Sequence, residues 1–189
     1  PTAKSWHAFV TSTKEPLAFP VIDFDPVAIL YTSGSTGQPK GVVLSHRNMV
    51  AGARSVASYF KLEASDRLLC ALPLSFDAGF SQLTTSFAAG ASAVLANHIL
   101  PSDIPKLVRE HEVTGLCAVP PLWRKLVSAN WPGETSLRFV ANTGGPMDRR
   151  TLGELRALFP RADVYLMYGF TEAFRSTYLD PSEVDRRPD

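Results

Sequence analysis

Short apolar runs alternate with stretches of helical period along most of this 189-residue chain, and no other feature narrows the fold as much. The apolar runs are PVAIL (26–30), RLLCALPL (67–74), ASAVLA (91–96), VTGLCAV (113–119), LRFVAN (137–142) and ADVYLMYG (162–169), with RSTYL (175–179) a candidate for one more. Between them, Met49, Val50, Ala53, Val56, Ala57 and Phe60 recur at helical spacing behind Ser45, a good N-cap. A second helical stretch around 79–89 runs to Gly90, and Ser102 or Asp103 heads a third, with Ile104, Leu107, Val108 and His111 on one face. Pro121 suits the first turn of a helix carrying Leu122, Leu126 and Val127, and Asp148 caps one carrying Leu152, Leu155 and Phe159. Strand and helix alternating about five times predict an α/β fold, a mainly parallel sheet flanked by helices on both faces. Pro and Gly punctuate element ends rather than forming a linker, so residues 1–189 read as a single unit.

At this length a compact fold removes roughly 70% of the unfolded chain's surface from water. The composition, 45% hydrophobic and 20% charged, is that of a globular protein and excludes a disordered one. A formal net charge of +1 gives no electrostatic reason to expect a nucleic-acid partner. Cys70 (LLCAL) and Cys117 (GLCAV) lie in apolar runs and read as buried thiols rather than a disulfide scaffold or a nucleophile. His7, His98 and His111 are scattered without metal-ligand spacing. No signal peptide is read at the start, and no apolar run approaches the roughly 18 residues of a membrane span, so the expectation is a cytoplasmic protein without membrane insertion. The opening PTAKSWHAF and the closing VDRRPD suggest a piece excised from something longer.

In parallel sheets, ligands bind beyond the carboxyl ends of the strands. Four polar or glycine-rich loops follow strands here: the one after PVAIL, SFDAGF after RLLCALPL, NTGGP after LRFVA, and GFTEA after VYLMY. They are expected to converge on one crevice. In YTSGSTGQPKG (31–41), Gly34, Gly37 and Gly41 let main-chain N–H groups approach an anion, Thr32, Ser33, Ser35 and Thr36 offer hydroxyls, and Lys40 supplies a charge for phosphate oxygens. The loop does not match the Walker pattern, because Gln38 and Pro39 separate Gly37 from Lys40 and Gly41 stands where Ser or Thr should follow the lysine. A P-loop phosphotransferase is therefore disfavoured.

YTSGSTGQPKGV, with VLSHRN after it, resembles the phosphate-binding motif of the adenylate-forming superfamily: acyl-CoA synthetases, adenylation domains of nonribosomal peptide synthetases, and luciferases. Three further segments resemble motifs of that family in the same order: LPLSFDAGF (72–80), NTGGP (142–146) and YGFTE (168–172). The resemblance implies that the chain is part of the large N-terminal AMP-binding domain, without the small C-terminal domain. It also implies a reaction in which a carboxylic acid attacks ATP to give an acyl-adenylate and pyrophosphate, then passes to a thiol such as that of CoA or a carrier protein's pantetheine. Such chemistry needs charge neutralisation on phosphates more than an acid or base.

Carried onto this chain, the resemblance implies that Thr32, Ser33, Gly34, Ser35, Thr36, Gly37, Lys40 and Thr171 hold the phosphates of ATP. Gly144, Gly145, Pro146, Tyr168, Gly169 and Phe170 would pack on adenine. Glu172, with Thr32, would hold Mg²⁺, which takes one or two carboxylates plus substrate phosphates. Thr171, Glu172 and Lys40 are the expected catalytic groups. Phe76, Asp77 and Phe80 would line the carboxylate-substrate pocket. His46 resembles a family position but is left out of catalysis. Acyl and aryl synthetases often carry a histidine in the segment where this chain reads PLSFD. Phe-Asp is common in amino-acid-activating domains, whose aspartate pairs with the substrate ammonium. Asp77 could equally cap the following helix.

The leading expectation is thus part of an AMP-forming acyl-CoA ligase, inactive by itself because downstream motifs are absent. The alternatives are an amino-acid adenylation domain that loads a carrier protein, and a non-catalytic nucleotide-binding module.

Overall fold

A computed structural model describes residues 20–33, 37–95, 100–131, 133–184 and 186, with no side-chain description of 174 and 175. Two strands, β1 (Pro26–Thr32) and β2 (Lys40–Ser45), lead into helix α1 (His46–Tyr59). There follow β3 (Arg67–Cys70), α2 (Asp77–Ala89), β4 (Ser92–Leu95), α3 (Ile104–Glu110), β5 (Gly115–Ala118), α4 (Pro120–Leu126), β6 (Phe139–Asn142), α5 (Arg149–Leu158), β7 (Asp163–Phe170) and β8 (Ala173–Leu179). Six strands form one sheet in the order β4-β3-β5-β6-β7-β8. The pairs from β4 to β7 are parallel, and β8 closes the edge antiparallel to β7.

Strand alternation sends side chains to two cores. Leu68, Cys117, Phe139, Ala141, Tyr165 and Met167 meet Val56 and Phe60 at the α1 side. Leu69, Leu116, Ala118, Val140 and Val164 meet Ile104, Val108, Trp123, Leu126 and Leu155 from α3, α4 and α5 on the other. The helices on both faces and the largely parallel sheet are those expected from the sequence.

The place of the first strand is a correction. The strand that precedes the glycine-rich loop does not join this sheet. β1 pairs antiparallel with β2 alone, Thr32 opposite Lys40, so the loop is the tip of a separate hairpin. The hairpin buries Leu30 and Leu44 against Met49 of α1 and Phe80 of α2, while Val27, Ile29, Tyr31 and Val43 face outward.

The caps follow the sequence in two cases. The Ser45 hydroxyl accepts from Asn48 N–H while Asn48 Oδ1 accepts from Ser45 N–H at 3.1 Å, and the Asp148 carboxylate accepts from Thr151 N–H at 2.8 Å. Helix α2 starts differently: its N-cap position belongs to Phe76, whose side chain makes no capping bond, and Asp77 is the first helical residue. Asp77 therefore does not serve as the N-cap. His111 also departs from expectation, being an exposed residue just past α3 instead of part of its buried face.

At the amino edge of the sheet, a buried carboxylate ties three strands together. Asp66 accepts two bonds from the Arg138 guanidinium, at 2.6 and 3.1 Å, one from Thr114 Oγ1 at 2.7 Å and one from Glu63 N–H at 2.8 Å. Burial alone would raise its pKa, but these donors, Arg138 foremost, hold the carboxyl below its ordinary value.

Candidate active site

The carboxyl edge of the parallel sheet carries three of the four loops singled out in the sequence. The turn after β3 carries Ser75 and Phe76 into α2. The turn after β6 is Thr143–Pro146, and β7 ends in Phe170 before the Thr171–Glu172 turn.

Gly144 has φ +75, a conformation that favours glycine, and a Cβ there would come within 3.1 Å of Val119 Cγ1. Asn142 locks this turn by donating to the Gly145 carbonyl at 2.8 Å, and Thr143 N–H donates to the Ala118 carbonyl at 3.1 Å. Gly144 and Pro146 are exposed and Gly145 is half-buried, leaving backbone as the outer surface of the turn. Across β7, Tyr168 and Phe170 are exposed aromatics whose rings meet edge-on at 6.2 Å, with Gly169 at a register shift between them. The Thr143–Pro146 turn supplies a backbone wall and β7 a pair of aromatic faces, the surfaces a flat heterocycle packs on.

Thr171 is half-buried and Glu172 exposed in the β7–β8 turn. Glu172 borders a groove of about 500 Å³ together with Val42, Val43 and Leu44 of β2, Asn48 and Ser55 of α1, and Ser176 of β8. The acidic turn is thus brought to the strand that follows the glycine-rich loop, although hairpin and sheet are separate. Stacking of Tyr59 on Tyr178, with centroids 4.3 Å apart, and a Tyr59 hydroxyl contact to Met167 Sδ at 3.3 Å hold β8 and β7 to α1. In the loop itself Gly34, Ser35 and Thr36 lie outside the described residues. Thr32 is half-buried, Ser33 and Lys40 are exposed, and Gly37 has φ +78.

Phe76 is exposed at this edge and Asp77 is half-buried beside it, its negative charge in the first turn of α2 where the helix dipole favours it. Phe80 turns instead toward the hairpin core with Leu30, Leu44 and Met49. The sequence reading passed over Gly79. A Cβ there would lie 2.0 Å from the Pro73 carbonyl oxygen, so α2 can lie against the turn before it only with glycine at this position. A glycine within an apolar helix pattern was the available signal. Cys70 and Cys117 are buried and not disulfide-bonded. Burial, with Cys117 nearby, pushes the Cys70 thiol up to about 11, which removes it as a nucleophile at neutral pH.

The AMP-binding enzyme family model matches residues 4–189. This chain belongs to that family. Among relatives of the AMP-binding chain, a PKS-NRPS hybrid synthetase, acdB, of Aspergillus candidus is 36% identical over 83% of this chain and 6% of its own length. A 2-succinylbenzoate–CoA ligase of Bacillus velezensis is 35% identical over 84% of this chain and 32% of its own. Among solved structures, VinN in complex with L-aspartate superposes with a TM-score of 0.82 at 32% identity, covering 91% of this chain and 44% of that one. The AMP-binding chain therefore spans less than half the length of each of these proteins. None of the described helices is long and apolar enough to cross a membrane.

Proposed function

We propose that this chain is one unit of the larger AMP-binding domain of a cytoplasmic AMP-forming carboxylate–thiol ligase, of acyl-CoA synthetase type. The observation that carries the reading is the gathering at one sheet edge of a backbone wall (Gly144–Pro146), an aromatic pair (Tyr168, Phe170) and the Thr171–Glu172 turn, which shares a groove with the strand that follows the phosphate loop.

In this reading the adenine packs between the Gly144–Pro146 turn and Tyr168. Thr32, Ser33, the glycine-rich tip and Lys40 hold the phosphates, and Thr171 donates to the α-phosphate. A carboxylate oxygen of the acid attacks the α-phosphorus, the bond to the bridging oxygen of the β-phosphate breaks, and pyrophosphate leaves. The acyl group then passes to the thiol of CoA, releasing AMP. Among the described residues, no three His, Cys, Asp or Glu side chains gather into a metal site. As the family resemblance implies, Glu172 and Thr32 would be the protein ligands of Mg²⁺, which draws its other oxygens from phosphates and water, the pattern usual for this ion.

A second reading, an amino-acid adenylation domain that loads a carrier protein's pantetheine, draws on Asp77. Its half-buried carboxylate is not used as a helix cap and so remains available to a substrate ammonium. The VinN neighbour, described in complex with L-aspartate, favours the same choice.

Pyrophosphate exchange into ATP by the full-length protein, dependent on added carboxylic acid, tests the proposal. Lys40→Ala and Glu172→Gln should each lower exchange by roughly 100-fold, the usual effect of removing one group that stabilises developing charge. Acid-independent transfer of the γ-phosphate, or no exchange with any acid, would overturn it.

A further inference from the structure

Strand β6 is buried along its whole length, and three of its four side chains, Phe139, Val140 and Ala141, are apolar. The fourth, Asn142, is 3% exposed and ends the strand where the Thr143–Pro146 turn begins. Its amide is only half bonded. Nδ2 donates to the Gly145 carbonyl at 2.8 Å, whereas Oδ1 has no partner among the described residues. A buried polar atom left unbonded lowers stability, and such atoms are few in native proteins. Stability of the fold therefore does not account for an amide at this position. Side chains that break a local rule in this way belong more often to functional sites than to cores.

The donor half of the amide serves the turn alone. Two other anchors hold the beginning of that turn to the junction of β5 and α4. Thr143 N–H donates to the Ala118 carbonyl at 3.1 Å, and Gly144 lies so close to Val119 that a Cβ would come within 3.1 Å of its Cγ1. Asn142 is the side chain that reaches forward to fix Gly145, the middle of the wall. It also stands opposite Leu166 of β7, two residues before Tyr168 on the same face of that strand. The wall and the aromatic thus rise from neighbouring strands at one level, with the Asn142 amide at the root of the wall.

We propose that Asn142 is a positioning residue for the nucleobase: its amide sets the Gly145 carbonyl, and with it the spacing between the wall and Tyr168, without touching the nucleotide. This rests on the reading above in which adenine packs between the Gly144–Pro146 turn and Tyr168. The base lies away from the reacting phosphorus, so losing the amide weakens the ground state and the transition state alike. The effect then falls on KM and leaves kcat nearly unchanged.

Full-length protein carrying Asn142→Ala or Asn142→Asp is compared with wild type in acid-dependent pyrophosphate exchange, ATP calorimetry and thermal unfolding. Asp keeps the shape of Asn, but an ionised carboxylate cannot donate. Each variant should raise the KM and Kd for ATP roughly tenfold, the worth of about one hydrogen bond, and change kcat less than about threefold. Asn142→Ala removes the unbonded oxygen together with the donor, so its unfolding midpoint should stay within about 3 °C of wild type. An unchanged KM and Kd in Asn142→Ala overturns the proposal whatever the midpoint does, and makes Asn142 part of the scaffold. Wild type that binds ATP but exchanges pyrophosphate with no acid overturns the ligase reading alone, and the Kd comparison still decides the role of Asn142. No ATP binding by wild type overturns both.

Discussion

Asp66 and Arg138 carry the strongest single-residue expectation. The Asp66 side chain is 4% exposed and that of Arg138 39%, so the pair is desolvated from one side only. Asp66→Asn removes the charge yet leaves the guanidinium in place. The expected cost is about 2–4 kcal/mol, toward the low end for buried pairs because Arg138 still touches water. Urea unfolding at pH 7 measures it. The sign with pH follows from the depressed carboxyl. Its stabilising effect is complete above the unfolded carboxylate pKa of about 3.9 and is lost as pH falls through the lower folded value. Wild type should lose stability below about pH 4 more steeply than Asp66→Asn. A contrast between two glycines is equally direct. Gly79→Ala places a Cβ 2.0 Å from backbone oxygen and should prevent α2 from docking. Gly153 is exposed in mid-helix with open space around it, so Gly153→Ala should stabilise by about 0.5–1 kcal/mol.

At the level of elements, the caps at Ser45 and Asp148 were legible because capping is local: the residue, its spacing and the helix that follows lie within one short stretch of sequence. Ser45→Ala should cost about 1 kcal/mol, read as a lower urea midpoint. The departure of β1 from the main sheet was not legible. PVAIL looks like any buried strand, and apolar periodicity says nothing about which sheet a strand joins. Its true pattern is one-sided, with Leu30 inward and Ile29 and Tyr31 outward. The three carboxyl-edge loops were legible because each directly follows a strand of the parallel sheet. Contacts between distant residues left no trace in the sequence. Asp66 and Arg138 are 72 positions apart, and Tyr59 meets Met167 across 108. Because Tyr59 anchors the hairpin that carries Glu172, Tyr59→Leu in the proposed full-length ligase should raise the KM for Mg-ATP as well as lower the unfolding midpoint. Exchange kinetics beside thermal unfolding checks this.

For the whole molecule, the outward face of the β1–β2 hairpin matters most. Val27, Ile29, Tyr31 and Val43 are all at least 44% exposed, with Val21, Ile22 and Phe24 exposed just before them. So much neighbouring apolar surface is unusual on a monomer. The 189-residue chain alone should self-associate as its concentration rises, and Ile29→Lys with Val43→Lys should shift it toward monomer in sedimentation velocity.

The glycine-rich loop sits at the tip of a two-stranded ribbon whose hold on the rest of the molecule runs through Met49 and Phe80. An isolated ribbon of this kind is marginally stable in water. Its amides should therefore exchange with deuterium well before those of β5 and β6, whose side chains are buried along their whole length. In the proposed reaction, phosphate capture would then be an event on a compliant arm and not on the rigid sheet.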